Sequence, residues 1–512
     1  MPHGGTYTPM GYMCYSGGMP TPSRKPMTRR AFVATVAGGL ALASCGKGAA
    51  RPSLAEAVAS AERARPHTGR VVAATLVAGP EQVDLGGVAV DTLTYGGGLP
   101  GPLIRATAGD ELAVTLTNRL DHPTSAHWHG IALRNDMDGA APASADVAAV
   151  RTFVYRFSVP NPGTYWAHPH TGVDADYGLY LPVIVDDPAE PGAYDAEWIV
   201  VLDDWTDGVG KSPKQILEGL RMTDIPGMDM SHMDMPGMGG MSSDLLGGDA
   251  GDVAYPYYLV NGRVPAAPSA FSAKPGQRVR IRLINAGSDT AFRVALAGHR
   301  LTVTHTDGFP VRPTEVDALL LGMGERYDVV VTAQDGVFPL VAAAEGKQGL
   351  ARAVLTTGAG SAPAPDFRPA ELDRRIGVVE LFTAADAAQL PAAKPDTTLS
   401  VNLSGSMMKY DWAINGARYP DIRSLKVAQG QHATLVFDNQ TTMWHPMHLH
   451  GHTFQVIRRD GSPGPRKDTV VVLPGQKLSA RLVADNPGDW MLHCHNTYHQ
   501  EAGMMTRLDY EL

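Results

Sequence analysis

A ten-residue pattern that recurs three times constrains the fold of this 512-residue chain more than any other sequence feature. Each copy opens with glycine, closes with asparagine and alternates apolar with polar residues: GDELAVTLTN at 109–118, GQRVRIRLIN at 276–285 and GQHATLVFDN at 430–439. Alternation with a period of two predicts β-strands with one face on a core. The copies lie too far apart for a solenoid repeat, so each marks a homologous domain. The sequence therefore predicts an all-β chain of three Greek-key β-sandwiches.

Composition indicates the domain boundaries. A segment rich in aspartate, glutamate and proline at 186–192 separates the first two domains, and a Gly/Ala/Pro/Ser stretch at 358–365 precedes the third. The only helices expected are two short amphipathic ones, near 53–63 and 212–220. The predicted organisation is an N-terminal extension with an export signal over 1–45, a tether over 46–66, and domains over 67–188, 189–360 and 371–512.

The three cysteines, Cys14, Cys45 and Cys494, are too few for a disulfide framework. Cys45 ends the run LASC, which follows paired arginines at 29–30 and an apolar stretch too short to cross a bilayer. The arginines resemble a twin-arginine signal, and LASC resembles a lipobox that would make Cys45 the lipidated first residue. A plain signal peptide cleaved nearby is the alternative. Met27 resembles a natural start in either case, and we then expect residues 1–26, with Cys14, to lie outside the protein.

Paired histidines occupy matched positions in the first and third domains. Nine residues after the closing asparagine come HWHG at 127–130 and HLHG at 448–451. Further on, HPH at 168–170 corresponds to HCH at 493–495. One such pair is usually accidental, but four pairs at repeated spacing, which hold eight of the 18 histidines, indicate metal ligands. Imidazole binds copper, iron and zinc alike, so the pairs alone do not identify the metal. Val294 takes the corresponding place in the second domain, which is therefore predicted to be a spacer without metal.

The surroundings of Cys494 indicate which metal is bound. Cys494 lies five residues before His499, ten before Met504 and 49 after His445. A thiolate with two imidazoles and a weak axial thioether is the ligand set of a blue-copper electron-transfer centre. Zinc favours four comparable ligands and has no need of a distant methionine. The sequence therefore predicts copper.

These segments together resemble the four signatures of the multicopper oxidases, of the laccase and cuprous oxidase type. The signatures are HWHG, HPH, HPMHLH at 445–450, and HCHNTYH at 493–499 with the later Gly503-Met504. The resemblance covers residues 67–512 and implies three cupredoxin-like domains with four copper ions: one type 1, one type 2 and two type 3. Within the family, the chain resembles exported, lipid-anchored mycobacterial members linked to copper resistance.

The resemblance also implies a ligand set, carried over position by position. The type 1 ligands would be His445, Cys494 and His499, with Met504 axial. The type 2 ligands would be His127 and His448. The type 3 ligands would be His129, His168, His170, His450, His493 and His495.

Reduction of dioxygen to water consumes protons, so an acid near the cluster is expected. Asp138 matches the family's acid beside the type 2 copper, and a simple turn residue before Gly139 is the alternative. The second acid departs from the pattern, because Gln500 follows His499 where many bacterial relatives carry glutamate. Glu501, or a chain of water molecules, is expected to take its place.

Residues 222–241 form a Met-rich segment that indicates the reducing substrate. Its methionines lack helical or strand periodicity, and thioethers select Cu(I), so the segment is predicted to recruit cuprous ions; a tolerated flexible insertion is the alternative. Met443 falls where copper-handling relatives place a Cu(I) contact, although Thr441 stands where such relatives have aspartate. The methionines are Met222, Met228, Met230, Met233, Met235, Met238 and Met241.

The leading hypothesis is an exported cuprous oxidase of the cell envelope that acts in copper resistance. Dioxygen is the expected acceptor, and Cu(I), phenols, aromatic amines or Fe(II) are the expected donors. The net charge of −9 argues against nucleic acid, and we expect a monomer attached to the membrane only through the lipid on Cys45. The alternatives are a general laccase and a copper-free cupredoxin-like protein with a structural role in cell division, which the intact ligand motifs oppose.

Overall fold

The computed structural model describes residues 52–190, 192–222 and 241–512, which form three successive pairs of β-sheets and one short hairpin. The predicted export signal with Cys45 lies outside the described residues, and so do the methionines at 228, 230, 233, 235 and 238. No helix within the described ranges is long and apolar enough to cross a membrane.

The first sandwich consists of two four-stranded sheets. Its strands are β1 (Val71–Asp84), β2 (Ala89–Tyr95), β3 (Ile104–Thr107), β4 (Glu111–Asn118), β5 (His127–His129), β6 (Thr152–Ser158), β7 (Gly163–His168) and β8 (Leu181–Asp186). One sheet has the order β2-β1-β4-β6 and the other β3-β8-β7-β5. Apolar residues of both sheets, including Leu112 and Leu116 of β4 and Leu181 and Val183 of β8, form a common core.

The middle sandwich consists of two six-stranded sheets. Its strands are β9 (Ala196–Trp205), β10 (Ser242–Ser243), β11 (Gly248–Asp249), β12 (Tyr257–Val260), β13 (Ser269–Ser272), β14 (Arg278–Asn285), β15 (Phe292–Leu296), β16 (Leu301–Thr306), β17 (Phe309–Val316), β18 (Ala318–Leu321), β19 (Arg326–Thr332), β20 (Val337–Ala344), β21 (Leu350–Thr356) and β22 (Ile376–Gly377). The sheet orders are β12-β9-β14-β19-β16-β17 and β13-β21-β20-β15-β18-β22, and β10 pairs with β11. Strand β22 lies beyond residue 371, where composition predicted the third domain to begin.

The third sandwich consists of a six-stranded and a five-stranded sheet. Its strands are β23 (Thr397–Ser404), β24 (Ala413–Ile414), β25 (Leu425–Ala428), β26 (His432–Asn439), β27 (His445–Leu449), β28 (Phe454–Ile457), β29 (Pro463–Lys467), β30 (Thr469–Val472), β31 (Lys477–Val483), β32 (Asp489–Cys494) and β33 (Met505–Glu511). The sheet orders are β24-β23-β26-β31-β28-β29 and β25-β33-β32-β27-β30. The all-β prediction is thus confirmed, and the domains are of the cupredoxin type.

The asparagine that closes each repeated pattern explains why the pattern recurs. The side-chain amides of Asn118, Asn285 and Asn439 donate to backbone carbonyls four or five residues further on. Their side-chain oxygens accept from the backbone N–H two residues on. Each asparagine therefore fixes the turn that leaves the strand, and in the first and third domains that turn leads to the paired histidines.

The middle copy of the pattern departs from the predicted half-buried strand. Strands β4 and β26 alternate buried with partly exposed residues, whereas β14 is buried on both faces. Arg280 and Arg282 both donate to Asp328 on the neighbouring strand β19, and Arg282 also donates to Thr164 Oγ1 of the first sandwich. Charged side chains that the pattern places toward solvent are therefore desolvated and paired.

The described residues contain three α-helices: α1 (Leu54–Ala64), α2 (Pro213–Arg221) and α3 (Thr497–Glu501). Helices α1 and α2 confirm the two expected from the sequence, and each begins with a capping box, at Ser53 and Ser212. Single-turn 3-10 helices cover Asn135–Met137, Asp174–Tyr177, Asp244–Leu246, Ala370–Asp373, Val379–Leu381 and Asp386–Ala388.

Helix α1 lies within residues 46–66, the segment predicted as a tether. Ala57 and Val58 are buried, and the Glu62 carboxylate accepts a hydrogen bond from the backbone N–H of Ser158. The amphipathic pattern of the helix thus docks on the first sandwich. This half of the segment is part of the folded domain rather than a free linker.

Candidate metal centres

The paired histidines of the first and third domains lie on strand pairs with the same register. In the first domain His127 on β5 is opposite His168 on β7. In the third domain His448 on β27 is opposite His493 on β32. Residues at i and i+2 of a strand share a face, so each HxH motif directs both rings to one side. The sheet register therefore converts four sequence motifs into two matched groups of imidazoles.

The two groups interdigitate across the interface between the first and third domains. The rings of His127 and His450 stack with centroids 3.7 Å apart, and those of His129 and His448 also lie 3.7 Å apart. The rings of His170 and His493 meet edge to face at 4.8 Å. All eight predicted cluster ligands therefore come together around one centre.

The facing ring nitrogens have the separations that shared metal ions require. Nε2 of His127 and Nε2 of His448 are 3.4 Å apart, and Nε2 of His450 and Nε2 of His493 are 3.1 Å apart. Nε2 of His495 is 3.2 Å from Nδ1 of His129. Two nitrogens bound at about 2.0–2.1 Å to one tetrahedral ion lie about 3.3 Å apart. The nitrogens are thus close enough to share an ion.

Hydrogen bonds on the far side of the His127 and His448 rings leave Nε2 as the metal-facing atom, whereas His129 is held through Nε2 and faces the cluster with Nδ1. Nδ1 of His127 and of His448 contacts the backbone oxygens of Asp138 and Asp468 at 3.0 Å. Such contacts fix the tautomer and orientation of metal-binding histidines. Nε2 of His168 and Nε2 of His170 are buried with no hydrogen-bond partner among the described residues. Orphaned buried nitrogens aimed into a histidine cluster fit a bound metal.

The ring environment also favours the neutral imidazole that metal binding requires. Burial lowers the pKa of each of these ligands well below its ordinary value, and the neighbouring rings lower it further. The pKa values so lowered are those of His129, His168, His170, His450, His493 and His495.

A second centre surrounds Cys494, which is free and fully buried. Its Sγ lies 3.6 Å from Nδ1 of His445 and 3.7 Å from Nδ1 of His499, and those two nitrogens are 3.1 Å apart. Met504 is also fully buried, and its backbone oxygen accepts a hydrogen bond from the Cys494 N–H. The three predicted equatorial ligands are therefore within reach of one ion, with Met504 held next to Cys494 by the backbone.

The outer nitrogens of the two histidines in this centre have different partners. Nε2 of His445 lies 2.9 Å from the hydroxyl of Thr441, in the same domain. Nε2 of His499 lies 3.0 Å from a carboxylate oxygen of Asp252, in the middle domain. The indole of Trp412 lies against both rings, 4.3 Å from that of His499. One histidine is therefore oriented by a neutral group and the other by a carboxylate.

The middle domain also supports the histidine cluster, which corrects its prediction as a spacer. Arg326 and Asp468 are fully buried, and the guanidinium donates to both Asp468 oxygens, at 2.7 and 2.6 Å. Asp468 in turn lies 3.1 Å from Nε2 of His129. Burial raises the pKa of Asp468, but Arg326 reverses this and holds it well below its ordinary value. A charged residue of the middle domain thus keeps the carboxylate that orients His129 ionised.

Two glycines allow the middle domain to pack closely against the histidine cluster. A Cβ on Gly130, directly after the HWH motif, would lie 2.2 Å from a guanidinium nitrogen of Arg326. A Cβ on Gly324 would lie 2.8 Å from the ring of His495 and 3.0 Å from that of His129. Both glycines also have φ near +80°. The backbone of the middle domain therefore packs directly on the rings.

The acids predicted from the sequence lie at different distances from the cluster. Asp138 is fully buried, and its Oδ2 lies 2.8 Å from Nδ1 of His450 while its Oδ1 lies 3.2 Å from Nδ1 of His127. Gln500 lines a small cavity bordered by the cluster histidines His168 and His495. Glu501 is not among the residues that line this cavity; its carboxylate accepts from the Gln500 amide at 3.4 Å, and its backbone oxygen accepts from Arg221.

The described methionines occupy contrasting positions. Met443 is only 1 % exposed and packs in the hydrophobic core beside the Cys494 centre. Met222 is 65 % exposed at the end of α2, and Met241 is half-buried. The buried sulfur of Met443 therefore does not meet solvent, whereas the ends of the Met-rich segment do.

Sequence reasoning missed Asp252, Arg326 and Asp468. Asp468 contacts a histidine 339 residues away, and Asp252 contacts one 247 residues away. No local motif marks such contacts. The one available signal was that the paired-histidine motifs supply no groups to hold the outer ring nitrogens, so partners from elsewhere in the chain were to be expected.

Comparison with known families agrees with this geometry. Three family models described as Multicopper oxidase match residues 78–190, 196–360 and 392–511. The chain is 62% identical to Multicopper oxidase MmcO of Mycobacterium tuberculosis, over 96% of this chain and 98% of that protein. It is 29% identical to a Copper resistance protein A homolog of Pseudomonas syringae pv. tomato, over 85% of this chain and 92% of that protein.

Solved structures share the fold. Fet3p, a multicopper oxidase that functions in iron import, matches with a TM-score of 0.73 at 21% identity, over 86% of this chain and 91% of that one. A multi-copper oxidase from Pseudomonas thermotolerans matches with a TM-score of 0.66 at 27% identity, over 86% and 99%. At its level of identity the Fet3p match supports the fold alone.

Proposed function

This chain belongs to the multicopper oxidase family, and from that premise we propose that it oxidises Cu(I) with dioxygen as a means of copper resistance. The observation that carries the proposal is the pair of centres joined through Cys494, which lies between His493 and His495 in sequence. The reaction class is that of an oxidoreductase with dioxygen as acceptor. Four one-electron oxidations balance the four-electron reduction of dioxygen to two waters.

The proposed ligand assignment follows the nitrogen separations. His445, Cys494, His499 and Met504 would hold the type 1 copper, and His127 and His448 would hold the type 2 copper. When bound, the coppers supply electron transfer and dioxygen reduction. One type 3 copper would take His129, His168 and His495, and the other His170, His450 and His493.

The chain itself provides the connection between the centres. Cys494 lies at the end of β32, covalently continuous with a cluster histidine on each side. In addition, Nδ1 of His493 lies 2.9 Å from the backbone oxygen of Cys494, so that ring is hydrogen bonded to the type 1 ligand. Electrons that arrive at Cys494 therefore reach the cluster without crossing solvent.

Asp138 would hold and move protons at the cluster. Its carboxylate lies between the Nδ1 atoms of His127 and His450, and its Oδ1 has no hydrogen-bond partner of good geometry among the described residues. Such a carboxylate can accept a proton without breaking the bond that orients His450. Glu501 stays a weaker proposal for the second acid, since Gln500 separates it from the cavity.

The Met-rich segment 222–241 would recruit the cuprous substrate. Thioethers select Cu(I), and the segment continues within eleven residues from Met241 to Asp252, which contacts His499. The recruiting residues would be Met228, Met230, Met233, Met235, Met238 and Met241. Met443 is buried, so it would contact Cu(I) only after the Met-rich segment has bound the ion. Phenols, aromatic amines and Fe(II) would be further donors.

The proposed location is the cell envelope. The paired arginines and the LASC run would export the chain and attach it through a lipid on Cys45, as a monomer, in the periplasm or on the outer face of the cytoplasmic membrane. In this location the enzyme would oxidise cuprous ions outside the cytoplasm.

Replacing the methionines at 228, 230, 233, 235 and 238 with leucine tests the substrate. Leucine keeps the apolar volume and removes the thioether, so we expect the KM for Cu(I) to rise about tenfold or more. The KM for a phenol should stay the same. The matched control is the leucine variant of the exposed Met408, which lies in another domain and should change neither value.

The outcomes separate the alternatives. An equal change for Cu(I) and phenol would contradict a recruiting role for the segment. No dioxygen uptake with Cu(I), together with rapid uptake with phenol, would leave a general laccase. A protein that binds no copper after copper loading would contradict the oxidase itself.

A further inference from the structure

Five aspartates are buried together where the three domains meet. Asp176, Asp203, Asp204, Asp252 and Asp289 are each at most 6 % exposed. Among the described lysine and arginine side chains, Lys347 contacts this group, with its Nζ 2.6 Å from Asp289, and the ring of His499 contacts Asp252. Five buried negative charges against so little positive charge are energetically prohibitive, so some of these carboxyls must hold a proton.

The donors around each carboxyl show which ones are charged. Asp204 accepts from the backbone N–H of Ser288 at 2.7 Å and of Asp289 at 3.0 Å. Asp289 accepts from Lys347 and, at 2.6 Å, from the side-chain amide of Asn496. Multiple N–H donors stabilise the ionised form. Asp204 and Asp289 therefore hold the negative charge.

Asp176 has the opposite environment. The hydroxyls of Tyr498 and Tyr255 contact its Oδ2, while its Oδ1 is buried without a hydrogen-bond partner of good geometry among the described residues. Burial raises the pKa of Asp176 well above its ordinary value, and the charge of Asp204 raises it further. These surroundings favour the protonated form of the carboxyl.

A small cavity lies between the histidine cluster and two residues next to the Asp176 carboxyl, Ala175 and Ser288. Ala175 and Ser288 line it on one side, and His168 and His495 on the other. It has about 10 Å³ of free volume, room for about one water molecule. The Ser288 side chain lies close enough to the Asp176 carboxyl to lower its pKa, against the larger effect of burial. A path from the acid to the cluster therefore needs one hydroxyl and one water.

We propose that Asp176 is the proton-relay residue that supplies dioxygen reduction through the Ser288 hydroxyl and a water in this cavity. The inference rests on the proposed oxidase function and names the second proton source that the sequence left open. Gln500 faces the same cavity, but an amide is no acid at neutral pH, so the position that carries glutamate in relatives does not perform this task here.

The proposed relay balances in electrons and protons. The reducing substrate supplies four electrons and solvent supplies four protons for each dioxygen converted to two waters. In one relay step the O–H bond of the Asp176 carboxyl breaks and its proton passes to the Ser288 oxygen. Ser288 passes its own proton to the cavity water, which protonates the oxygen being reduced. Solvent then returns a proton to Asp176.

Infrared spectroscopy of the intact holoenzyme tests the acid independently of turnover. We expect a carbonyl stretch of a protonated carboxyl at neutral pH that Asp176→Asn removes and that shifts in deuterated water. Asp203→Asn is the matched control, because burial also raises the pKa of Asp203, but this carboxyl accepts from the Tyr180 hydroxyl and does not lie beside Ser288. If Asp176→Asn removes no such band, Asp176 is ionised and the relay is wrong.

Rapid-kinetic reoxidation of the reduced enzyme tests the role. Asp176→Asn should slow reoxidation by dioxygen about 100-fold and abolish its decline at high pH, with copper content, blue colour and anaerobic reduction by substrate unchanged. Ser288→Ala should have the same direction of effect, and Asp203→Asn should have none. Adding Gln500→Glu to Asp176→Asn should restore reoxidation, because it places an acid on the cavity wall. Unchanged reoxidation in Asp176→Asn, or equal slowing in Asp203→Asn, would overturn the relay while leaving the oxidase function intact.

Discussion

The middle and third sandwiches have the same strand pairing but different chemistry. On β27, His448 is opposite Thr469 on one side and His493 on the other. On β15, Val294 is opposite Leu319 on one side and Ala342 on the other. Both positions come nine residues after the closing asparagine of the repeated pattern. The register is thus preserved where the histidines are replaced by apolar residues.

This difference shows that folding and metal binding depend on separate residues. The alternating strands and the capping asparagines specify the sandwich, and they are present in all three domains. Metal binding needs only a few substitutions on strands that already face each other. The middle domain has no such ligands and instead supports both centres from outside, with Arg326 and Gly324 at the histidine cluster and Asp252 at the Cys494 centre.

The largest expected effect comes from giving the third domain the residues of the middle one. His448→Val with His493→Ala should leave a folded chain, since apolar residues are already compatible with this register in the middle domain. Dioxygen reduction should fall more than about 100-fold, because even outer-partner mutations cost metal sites 10–100-fold. The blue colour of the Cys494 centre should persist.

Copper content, visible absorption and thermal unfolding measure this outcome. The matched control, Val294→Ala, creates a cavity in the middle core and should cost about 1–3 kcal/mol of stability without loss of copper. A double variant that fails to fold would show that the histidines are needed for the sandwich itself and would break the comparison.

An intermediate effect is expected from Arg326→Met. Removal of one partner from a buried ion pair leaves Asp468 uncompensated and should cost about 3–5 kcal/mol of stability. Because Asp468 contacts His129, copper affinity at the cluster should also fall about 10–100-fold.

The variant Arg280→Met separates the loss of stability from the loss of copper affinity. Arg280 forms a buried pair with Asp328, and neither residue contacts a predicted ligand among the described residues. We expect a similar loss of stability on denaturant titration but unchanged copper binding in a chelator competition. Equal copper loss in both variants would mean that Arg326 acts only through general stability.

Much of the fold and of the ligand set could be predicted from the sequence because both depend on local patterns. Strands such as β4 and β26 show their period of two, and HWHG or HCH carry their ligands within a few residues. The burial of β14 could not be predicted, because Arg280 and Arg282 look solvent-exposed until Asp328 is placed against them. Arg326 and Asp468 are 142 residues apart, and only the packing of two domains brings them together.

The smallest expected effect concerns the two outer partners of the Cys494 centre. Asp252, from the middle domain, places a carboxylate on His499, whereas Thr441, from the third domain, places a neutral hydroxyl on His445. A nearby negative charge stabilises the more highly charged, oxidised copper, so Asp252→Asn should raise the type 1 potential by tens of millivolts, where about 59 mV is a tenfold change in the electron equilibrium. Thr441→Val removes a dipole rather than a charge, and a redox titration followed at the blue absorption band should show a clearly smaller shift. If the two variants shift the potential equally, the middle domain orients His499 without tuning it, and its contribution to the site reduces to the support of the cluster by Arg326.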